Sequence, residues 1–235
     1  GYEAGKRIGA LFFMHGWRSN PANVMRNAEL KAFVDARGLA LVAPKSAQDG
    51  WDIAGSPSER SQTELPFFDR LLGVLTERHG IATDQLVATG FSAGGMMVWN
   101  LICYRGDKFR AFIPIAGTYW RPIPQTCDTP SATVLHIHGL DDPMVPMTGR
   151  KIRHYQQGDV RRALTLYRAQ SALAEGPPIT LQRNGLRCAF HQRADHTAGG
   201  TGLCLHDGGH WYRSSDLALA FDLLAKVGVQ LPGQR

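Results

Sequence analysis

Short apolar runs alternate with longer amphipathic segments along most of the chain. Six apolar runs predict buried strands: 8–14, 38–43, 86–89, 111–116, 133–137 and 203–205. Between them, apolar residues recur at helical spacing, which predicts helices over 20–36, 67–78, 94–103, 160–173 and 216–227. Strands separated by helices of this length pair in parallel, with helices on both faces of the sheet. The pattern predicts one α/β domain over 1–235, with about six parallel strands and an antiparallel element near 179–190.

Composition and charge narrow the function classes. The 235 residues are 43% hydrophobic and 20% charged, which argues against disorder. No apolar run approaches the roughly 18–20 residues that a membrane-spanning helix needs. The net charge is +6, and the densest basic segments, 151–153 and 161–162, are too short for a nucleic-acid-binding tail. We therefore expect a solubilising basic surface, no nucleic-acid partner, no membrane insertion and no cofactor.

The candidate chemistry begins with Gly90-Phe91-Ser92-Ala93-Gly94, where a predicted strand must turn into a predicted helix. A serine on such a tight turn adopts a strained backbone conformation that lifts its hydroxyl clear of the sheet. A Cβ at Gly90 or Gly94 is expected to collide with the neighbouring strand or helix. The alternative is a glycine-rich turn whose serine is incidental.

A serine nucleophile needs a base, and the base needs an orienting acid. In folds of this type the acid follows the serine in sequence, and the histidine comes last. Asp141 and Asp142 follow the fifth predicted strand, and we favour Asp142. His206 and His210 follow the last strand, and we favour His210 because two glycines precede it. The predicted catalytic triad is Ser92, Asp142 and His210.

Acyl transfer also needs N–H donors for the developing oxyanion. The amide of Ala93 is one donor by position, because it opens the helix after the serine. We expect the second from the loop after the first strand, where Gly16 allows the backbone to turn inward and the amide of Trp17 to point at the site.

Together these motifs resemble the α/β-hydrolase superfamily and, more narrowly, the polyhydroxybutyrate depolymerases and type-C or type-D feruloyl esterases. The resemblance spans 14–211 and rests on Met14-His15-Gly16, Trp51, Gly90 to Met96, Cys103, Ala116-Gly117, Cys127, His138-Gly139 with Asp142 and Val145, and Gly208 to Trp211. It implies an α/β-hydrolase fold, and its His-Gly-x-x-Asp-x-x-Val pattern also puts the acid at Asp142. The chain departs from the family's usual His-x-Trp-Pro, since Trp211-Tyr212 follows His210 directly.

The four cysteines allow three pairings. Cys103 with Cys127, and Cys188 with Cys204, are plausible from the topology, and the family resemblance points the same way. Disulfides would favour a secreted or periplasmic location, against the alternative of four reduced thiols in the cytosol. A rival interpretation is a zinc site formed by Cys188, His191, His196, Cys204 and His206. Its spacing fits no compact finger, so no metal is expected.

The sequence therefore predicts a serine carboxylic-ester hydrolase. About 16 residues separate the fourth and fifth strands, too few for a large lid domain, so we expect an open groove. The residues expected to line it are Gly16, Trp51, Tyr119, Trp120, Val145 and Trp211. The resemblance implies hydrolysis of hydroxyalkanoate polyesters or oligomers. One alternative is a feruloyl or acetyl esterase acting on plant polysaccharide, and an alternative from another class is a non-catalytic binding module on the same scaffold.

Overall fold

The computed structural model describes residues 7–129, 132–170, 172–194 and 199–231. Within these ranges, eight strands form one sheet. Their order across it is β2 (Ala40–Val42), β1 (Ile8–Met14), β3 (Ile81–Phe91), β4 (Ala111–Ile115), β5 (Val134–Gly139), β10 (Gly200–His206), β9 (Leu186–Gln192) and β8 (Ile179–Arg183). The first six strands in this order are parallel, and β9 pairs antiparallel with both β10 and β8. Both features agree with the sequence-based fold class.

Helices cover both faces of the sheet because its buried strands are apolar on both sides. On β1, for example, Phe12 packs into one core and Leu11 into the other. One core is covered by α3 (Glu64–His79), α4 (Ala93–Arg105) and α5 (Val160–Gln170). The other core is covered by α1 (Pro21–Arg26), α2 (Ala28–Asp35) and α6 (Ser214–Lys226).

The single helix predicted over 20–36 is divided in two at Asn27. This residue ends α1 with extended backbone angles, φ −68° and ψ 104°, and begins α2. Its side-chain oxygen accepts a hydrogen bond from the amide of Leu30 at 3.0 Å. Apolar spacing continues through the break, so the helical period alone could not reveal that the asparagine caps a new helix.

A short hairpin after β5 is absent from the sequence-based prediction. Its strands are β6 (Lys151–Ile152) and β7 (Tyr155–Gln156), joined by Arg153 and His154. Two-residue strands carry too little pattern to be recognised from apolar alternation. Between β4 and β5, the part of the segment that is described contains no helix. Among the described helices, none has the length and apolarity needed to cross a bilayer.

Candidate active site

Ser92 lies at the sharp turn between the end of β3 and the start of α4. Its backbone angles, φ 58° and ψ −119°, are ones that residues with a side chain rarely adopt. The amide of Ser92 donates to the carbonyl oxygen of Ile115 at 3.0 Å. A Cβ at Gly94 would overlap the carbonyl oxygen of Met14, and a Cβ at Gly90 would lie 2.7 Å from the Gly94 backbone. Close backbone approach therefore requires both glycines, for the reason expected from the sequence.

Three side chains from three strand ends form a continuous chain of hydrogen bonds. The Nε2 atom of His210 lies 2.9 Å from Oγ of Ser92, and its Nδ1 atom lies 2.7 Å from Oδ2 of Asp142. Because the carboxylate only accepts, Nδ1 carries the proton, which leaves Nε2 free to accept from the serine hydroxyl. The structure thus brings together all three residues of the predicted triad.

Adjacent strand ends explain why the acid and the histidine meet. His206 at the end of β10 pairs with Gly139 at the end of β5, so the two following loops leave the sheet at the same level. The amide of Asp141 in one loop donates to the carbonyl oxygen of Gly208 in the other at 3.1 Å. A Cβ at Gly139 would overlap that same carbonyl oxygen. Glycine at this position therefore lets the two loops pack directly against each other.

Asp142 is buried, and backbone amides hold the carboxylate oxygen that does not face His210. Its Oδ1 atom accepts from the amides of Met144 and Val145, each at 2.8 Å. Burial by itself would raise the pKa of Asp142, but the hydrogen bonds from His210 and from these amides outweigh it. The pKa is therefore lowered overall, and the group is a carboxylate at neutral pH. Asp141, the alternative acid, is exposed.

Two buried histidines on β5 lie behind the acid, on one face of the strand. The Nε2 atom of His138 lies 2.7 Å from the carbonyl oxygen of Val145 and 3.7 Å from Oδ2 of Asp142. Since the carbonyl only accepts, this Nε2 carries the proton, and Nδ1 of His138 accepts from Nε2 of His136 at 2.8 Å. Burial lowers the pKa of both rings. Both are therefore neutral at pH 7 and stabilise the loop that carries Asp142.

Sequence reasoning used His138 only as part of a motif and missed His136. The available signal was a His-x-His pair within an apolar strand, because alternation puts both rings on the same buried face. His206, the alternative base, is packed against the ring of Trp211 with centroids 4.0 Å apart, and its Nδ1 accepts from the amide of Gly208.

Two backbone amides are available beside Ser92. Within the described ranges, neither the amide of Ala93 nor that of Trp17 has a protein hydrogen-bond partner. The loop after β1 passes alongside the serine, since a Cβ at Gly16 would lie 3.7 Å from Cβ of Ser92. That distance is an ordinary van der Waals contact, so a side chain would fit at position 16. The expectation that this loop needs a glycine to turn inward was therefore wrong. The amide pair can serve as the two donors of an oxyanion hole.

His15 and Trp51 fix the conformation of the loop that carries Trp17. The Nδ1 atom of His15 donates to the carbonyl oxygen of Gly16 at 2.9 Å, and its Nε2 accepts from the amide of Ser46 at 3.3 Å. Burial is the main reason that the pKa of His15 is lowered, so the ring is neutral at pH 7. The indole Nε1 of Trp51 donates to the carbonyl oxygen of His15 at 2.9 Å. Trp51 is only 2% exposed, so it positions the loop, and near the site it lines only a small pocket of about 20 Å³ beside Ala93 and Met96.

A cavity of about 570 Å³ opens beside Ser92. Its lining includes aromatic rings and apolar side chains: Trp17, Met96, Trp120, Val145, Ile152 and Tyr155. Trp120 and Val145 are therefore where the sequence predicts them, and the hairpin of β6 and β7 forms one side of the cavity.

Two other predicted groove residues lie elsewhere. Tyr119 is buried, and its hydroxyl donates to the carbonyl oxygen of Trp99 at 2.8 Å. Trp211 stacks on His206 and lies outside this cavity. The expectation for Tyr119 was wrong, because an aromatic residue near a strand end can point into the core as readily as into the site, whereas the expected contact of the exposed Trp211 with substrate stays a prediction.

All four cysteines form disulfides, in the pairs that the sequence analysis considered plausible. Cys103 at the end of α4 is joined to Cys127, and Cys188 on β9 is joined to Cys204, its cross-strand neighbour on β10. Because zinc binds thiolates, the second disulfide removes two ligands from the rival zinc hypothesis. His196 of that set lies outside the described residues. Across the described ranges, no group of three or more His, Cys, Asp or Glu side chains could hold a metal ion.

Part of the chain matches a family model and several curated proteins. Residues 58–159 match the model of the phospholipase/carboxylesterase family. Feruloyl esterase C of Emericella nidulans is 28% identical over 63% of this chain and 54% of its own length. The bifunctional acetylxylan esterase/xylanase XynS20E of Neocallimastix patriciarum is 24% identical over 57% of this chain and 19% of its own length. The chain thus spans about half or less of the length of these curated relatives.

Solved structures match over nearly the whole chain. The carboxylesterase of Bacillus cereus has a TM-score of 0.63 at 10% identity, covering 94% of this chain and 92% of that one. The acetyl xylan esterase of Aspergillus awamori has a TM-score of 0.64 at 10% identity, covering 93% and 89%. At these identities the likeness concerns the fold. The sheet topology and these matches together show that the chain has the α/β-hydrolase fold.

Proposed function

We propose that the chain is a serine carboxylic-ester hydrolase acting as a single catalytic domain. The observation that supports this most is the continuous hydrogen-bond chain from Ser92 through His210 to Asp142, with links of 2.9 and 2.7 Å. The strained backbone of Ser92 is a second support, because such strain persists where function requires it.

In this proposal Ser92 attacks the ester carbonyl while Nε2 of His210 takes the hydroxyl proton. The carbonyl oxygen becomes an oxyanion that accepts from the amides of Ala93 and Trp17. The imidazolium then gives its proton to the departing alcohol, leaving an acyl-enzyme on Ser92. Water attacks the acyl carbon, His210 again takes and returns a proton, and the acid is released. Asp142 holds His210 in the required tautomer and stabilises its positive charge.

For the substrate we favour an aromatic or acetyl ester of a polysaccharide over a hydroxyalkanoate polyester. The curated relatives reported above are named feruloyl esterase and acetylxylan esterase. The cavity offers Trp17, Trp120 and Tyr155, rings against which an aromatic acyl group or a sugar face can pack. This reverses the order of preference that the sequence resemblance implied, in which polyester hydrolysis came first.

A substrate panel tests the proposal. We expect kcat/KM for methyl ferulate or acetylated xylo-oligosaccharide to exceed that for hydroxybutyrate oligomers at least about tenfold, and the variant Ser92→Ala to be inactive on all of them. A higher kcat/KM for the hydroxybutyrate oligomers would instead favour polyester hydrolysis as the function. Turnover of no ester by the folded wild type would instead favour the non-catalytic binding module.

We also propose an extracytoplasmic location, secreted or periplasmic. The support is the pair of disulfides, which persist in oxidising compartments. Thiol labelling of the protein from its native cells is expected to find no free cysteine. Recovery of four free thiols from a cytosolic fraction would contradict the proposal.

A further inference from the structure

A second cavity adjoins the one beside Ser92. It measures about 650 Å³, and the two cavities share His154 and Tyr155 as a common wall. The first cavity holds the proposed reacting ester. The second is therefore within reach of whatever group is attached to that ester, and its chemistry bears on what the rest of the substrate is.

Arginines line both cavities. Arg18, Arg150 and Arg153 contribute to the first, and Arg121 and Arg162 to the second. Within the described part of the chain, no aspartate or glutamate contributes to the lining of either. Positive charge is therefore concentrated at the two cavities, although the net charge of the whole chain is only +6.

Some of this charge is already engaged. Nε of Arg18 lies 3.4 Å from Oδ2 of Asp49, and Nε of Arg150 donates to a backbone carbonyl oxygen. The other three arginines form no ion pair within the described ranges, since no carboxylate oxygen lies within 4.0 Å of their guanidinium nitrogens. They are Arg121, Arg153 and Arg162. These three, which we call the arginine cluster, can bind an external anion without first breaking an internal ion pair.

The backbone holds two members of the cluster at the groove. Arg153 lies at the tip of the hairpin of β6 and β7 with φ 56°, a conformation that favours glycine. The amide of Arg121 donates to the carbonyl oxygen of Gln156 at 2.8 Å. Gly55 packs so closely against Arg121 that a Cβ there would overlap its carbonyl oxygen. Backbone contacts therefore fix the position of Arg121, and Arg153 occupies a strained position that glycine would adopt more easily.

We propose that the arginine cluster is a subsite for a carboxylate-bearing sugar, so that the preferred substrate is an ester on a uronate-containing polysaccharide. A guanidinium group binds a carboxylate through two parallel hydrogen bonds, and it keeps its charge at any relevant pH. Trp120 and Tyr155, whose ring centroids lie 6.3 Å apart, adjoin the cluster and offer faces for the apolar side of a sugar ring. The inference rests on the proposed esterase function and deepens it. It also gives Arg153 and Arg162, one from each of the densest basic segments, a role beyond solubility.

Matched ester substrates test the subsite. The two substrates carry the same feruloyl ester, one on a neutral xylo-oligosaccharide and one on an oligosaccharide that also bears a uronate. The variants are Arg121→Gln, Arg153→Gln, Arg162→Gln and the triple variant. Arg161→Gln is the control, because Arg161 is exposed on the same helix as Arg162 but lines neither cavity.

We expect the wild type to favour the uronate-bearing substrate about tenfold in kcat/KM at low salt, mainly through KM. Each exchange in the cluster should reduce that preference about two- to fivefold, the range that exposed ion pairs provide. The preference should shrink in about 0.5 M salt, which screens exposed charges. Hydrolysis of methyl ferulate should be unchanged in Arg121→Gln, Arg162→Gln and the control Arg161→Gln, because none of these three residues lines the cavity beside Ser92. Equal kcat/KM for the two substrates, or an equal loss in Arg161→Gln, would overturn the subsite.

Binding to the Ser92→Ala variant separates this proposal from the proposed activity. Calorimetry should show tighter binding of trigalacturonate than of neutral xylotriose, and the difference should vanish when the triple exchange is added. If that holds while no carbohydrate ester is turned over, the subsite stands and the esterase function fails. If methyl ferulate is hydrolysed but the two sugars bind alike, the subsite fails alone. Cluster-dependent binding of phosphatidylglycerol vesicles without trigalacturonate binding would assign the arginines to a lipid and also overturn the proposal.

Discussion

Replacing Asp142 with asparagine removes a charge while keeping the shape of the side chain. The remaining oxygen can still accept from the amides of Met144 and Val145, which lie 2.8 Å from Oδ1. The new NH2 group then takes the place of Oδ2, 2.7 Å from Nδ1 of His210. An N–H at that position donates to Nδ1 and drives the histidine proton to Nε2. Nε2 faces Ser92, so the base is lost.

The size of the loss follows from the charge that the carboxylate stabilises. Two unit charges whose centres are about 4 Å apart attract by about 4 kcal/mol at an effective dielectric constant of about 20. Removing that attraction from the transition state, where the imidazolium forms, slows the reaction about 10³-fold. The unfavourable tautomer adds to this, so we expect kcat to fall about 10³- to 10⁴-fold.

Steady-state kinetics on an aryl ester near neutral pH measure the effect. KM should change little, because the acid contacts no substrate in the proposed mechanism. Asp141→Asn is the matched control, since Asp141 is the exposed neighbour and should keep activity within about twofold. Activity of Asp142→Asn within tenfold of the wild type, or an equal loss in Asp141→Asn, would refute the assignment of the acid.

Three further exchanges test the surrounding structure. Trp51→Phe removes the donor to the His15 carbonyl oxygen, and steady-state kinetics should show kcat about tenfold lower with KM unchanged. Exchanging Cys188 and Cys204 for alanine together removes a cross-link over 16 residues, which should lower the free energy of unfolding in urea by about 3 kcal/mol. His136→Gln tests stability in acid. Burial lowers the pKa of His136 in the folded protein, so the wild type loses stability as pH falls below 6.5. The free energy of unfolding of the variant should fall by up to about 1.4 kcal/mol less per pH unit.

Each of these has a result that would count against it. A rise in KM alone for Trp51→Phe would mean that the indole contacts substrate after all. Unchanged urea unfolding without the Cys188–Cys204 disulfide would mean that the cross-link does not constrain the unfolded chain. Stability curves of equal slope below pH 6.5 would mean that His136 does not remain neutral in the fold.

The sheet could be predicted from the sequence because its parallel strands are buried on both faces and appear as continuous apolar runs. The run 8–14 coincides with β1, and the antiparallel element near 179–190 corresponds to β8 and β9. The break at Asn27 could not be predicted, since a capping asparagine does not interrupt the apolar period. The hairpin of β6 and β7 was missed because two-residue strands have no period to detect.

The hydrogen-bonded triad could be located because its residues follow strand ends, and the ends of parallel strands lie on one edge of a sheet. The direction of individual aromatic side chains could not be predicted. Trp51 and Trp120 both occupy loops near that edge, yet of the two only Trp120 lines the cavity of about 570 Å³ beside Ser92. The arginine cluster is a tertiary feature as well, since Arg121 and Arg162 are 41 positions apart in number and only the fold brings them to one cavity.

The central claim is that Ser92 is a nucleophile activated by His210. Intact-mass measurement after treatment with a fluorophosphonate tests it directly. The wild type should gain the mass of one adduct, located by peptide mapping on the peptide that carries Ser92, while Ser92→Ala gains none and His210→Ala reacts far more slowly. A wild type that gains no mass, or an adduct that persists in Ser92→Ala, would contradict the account.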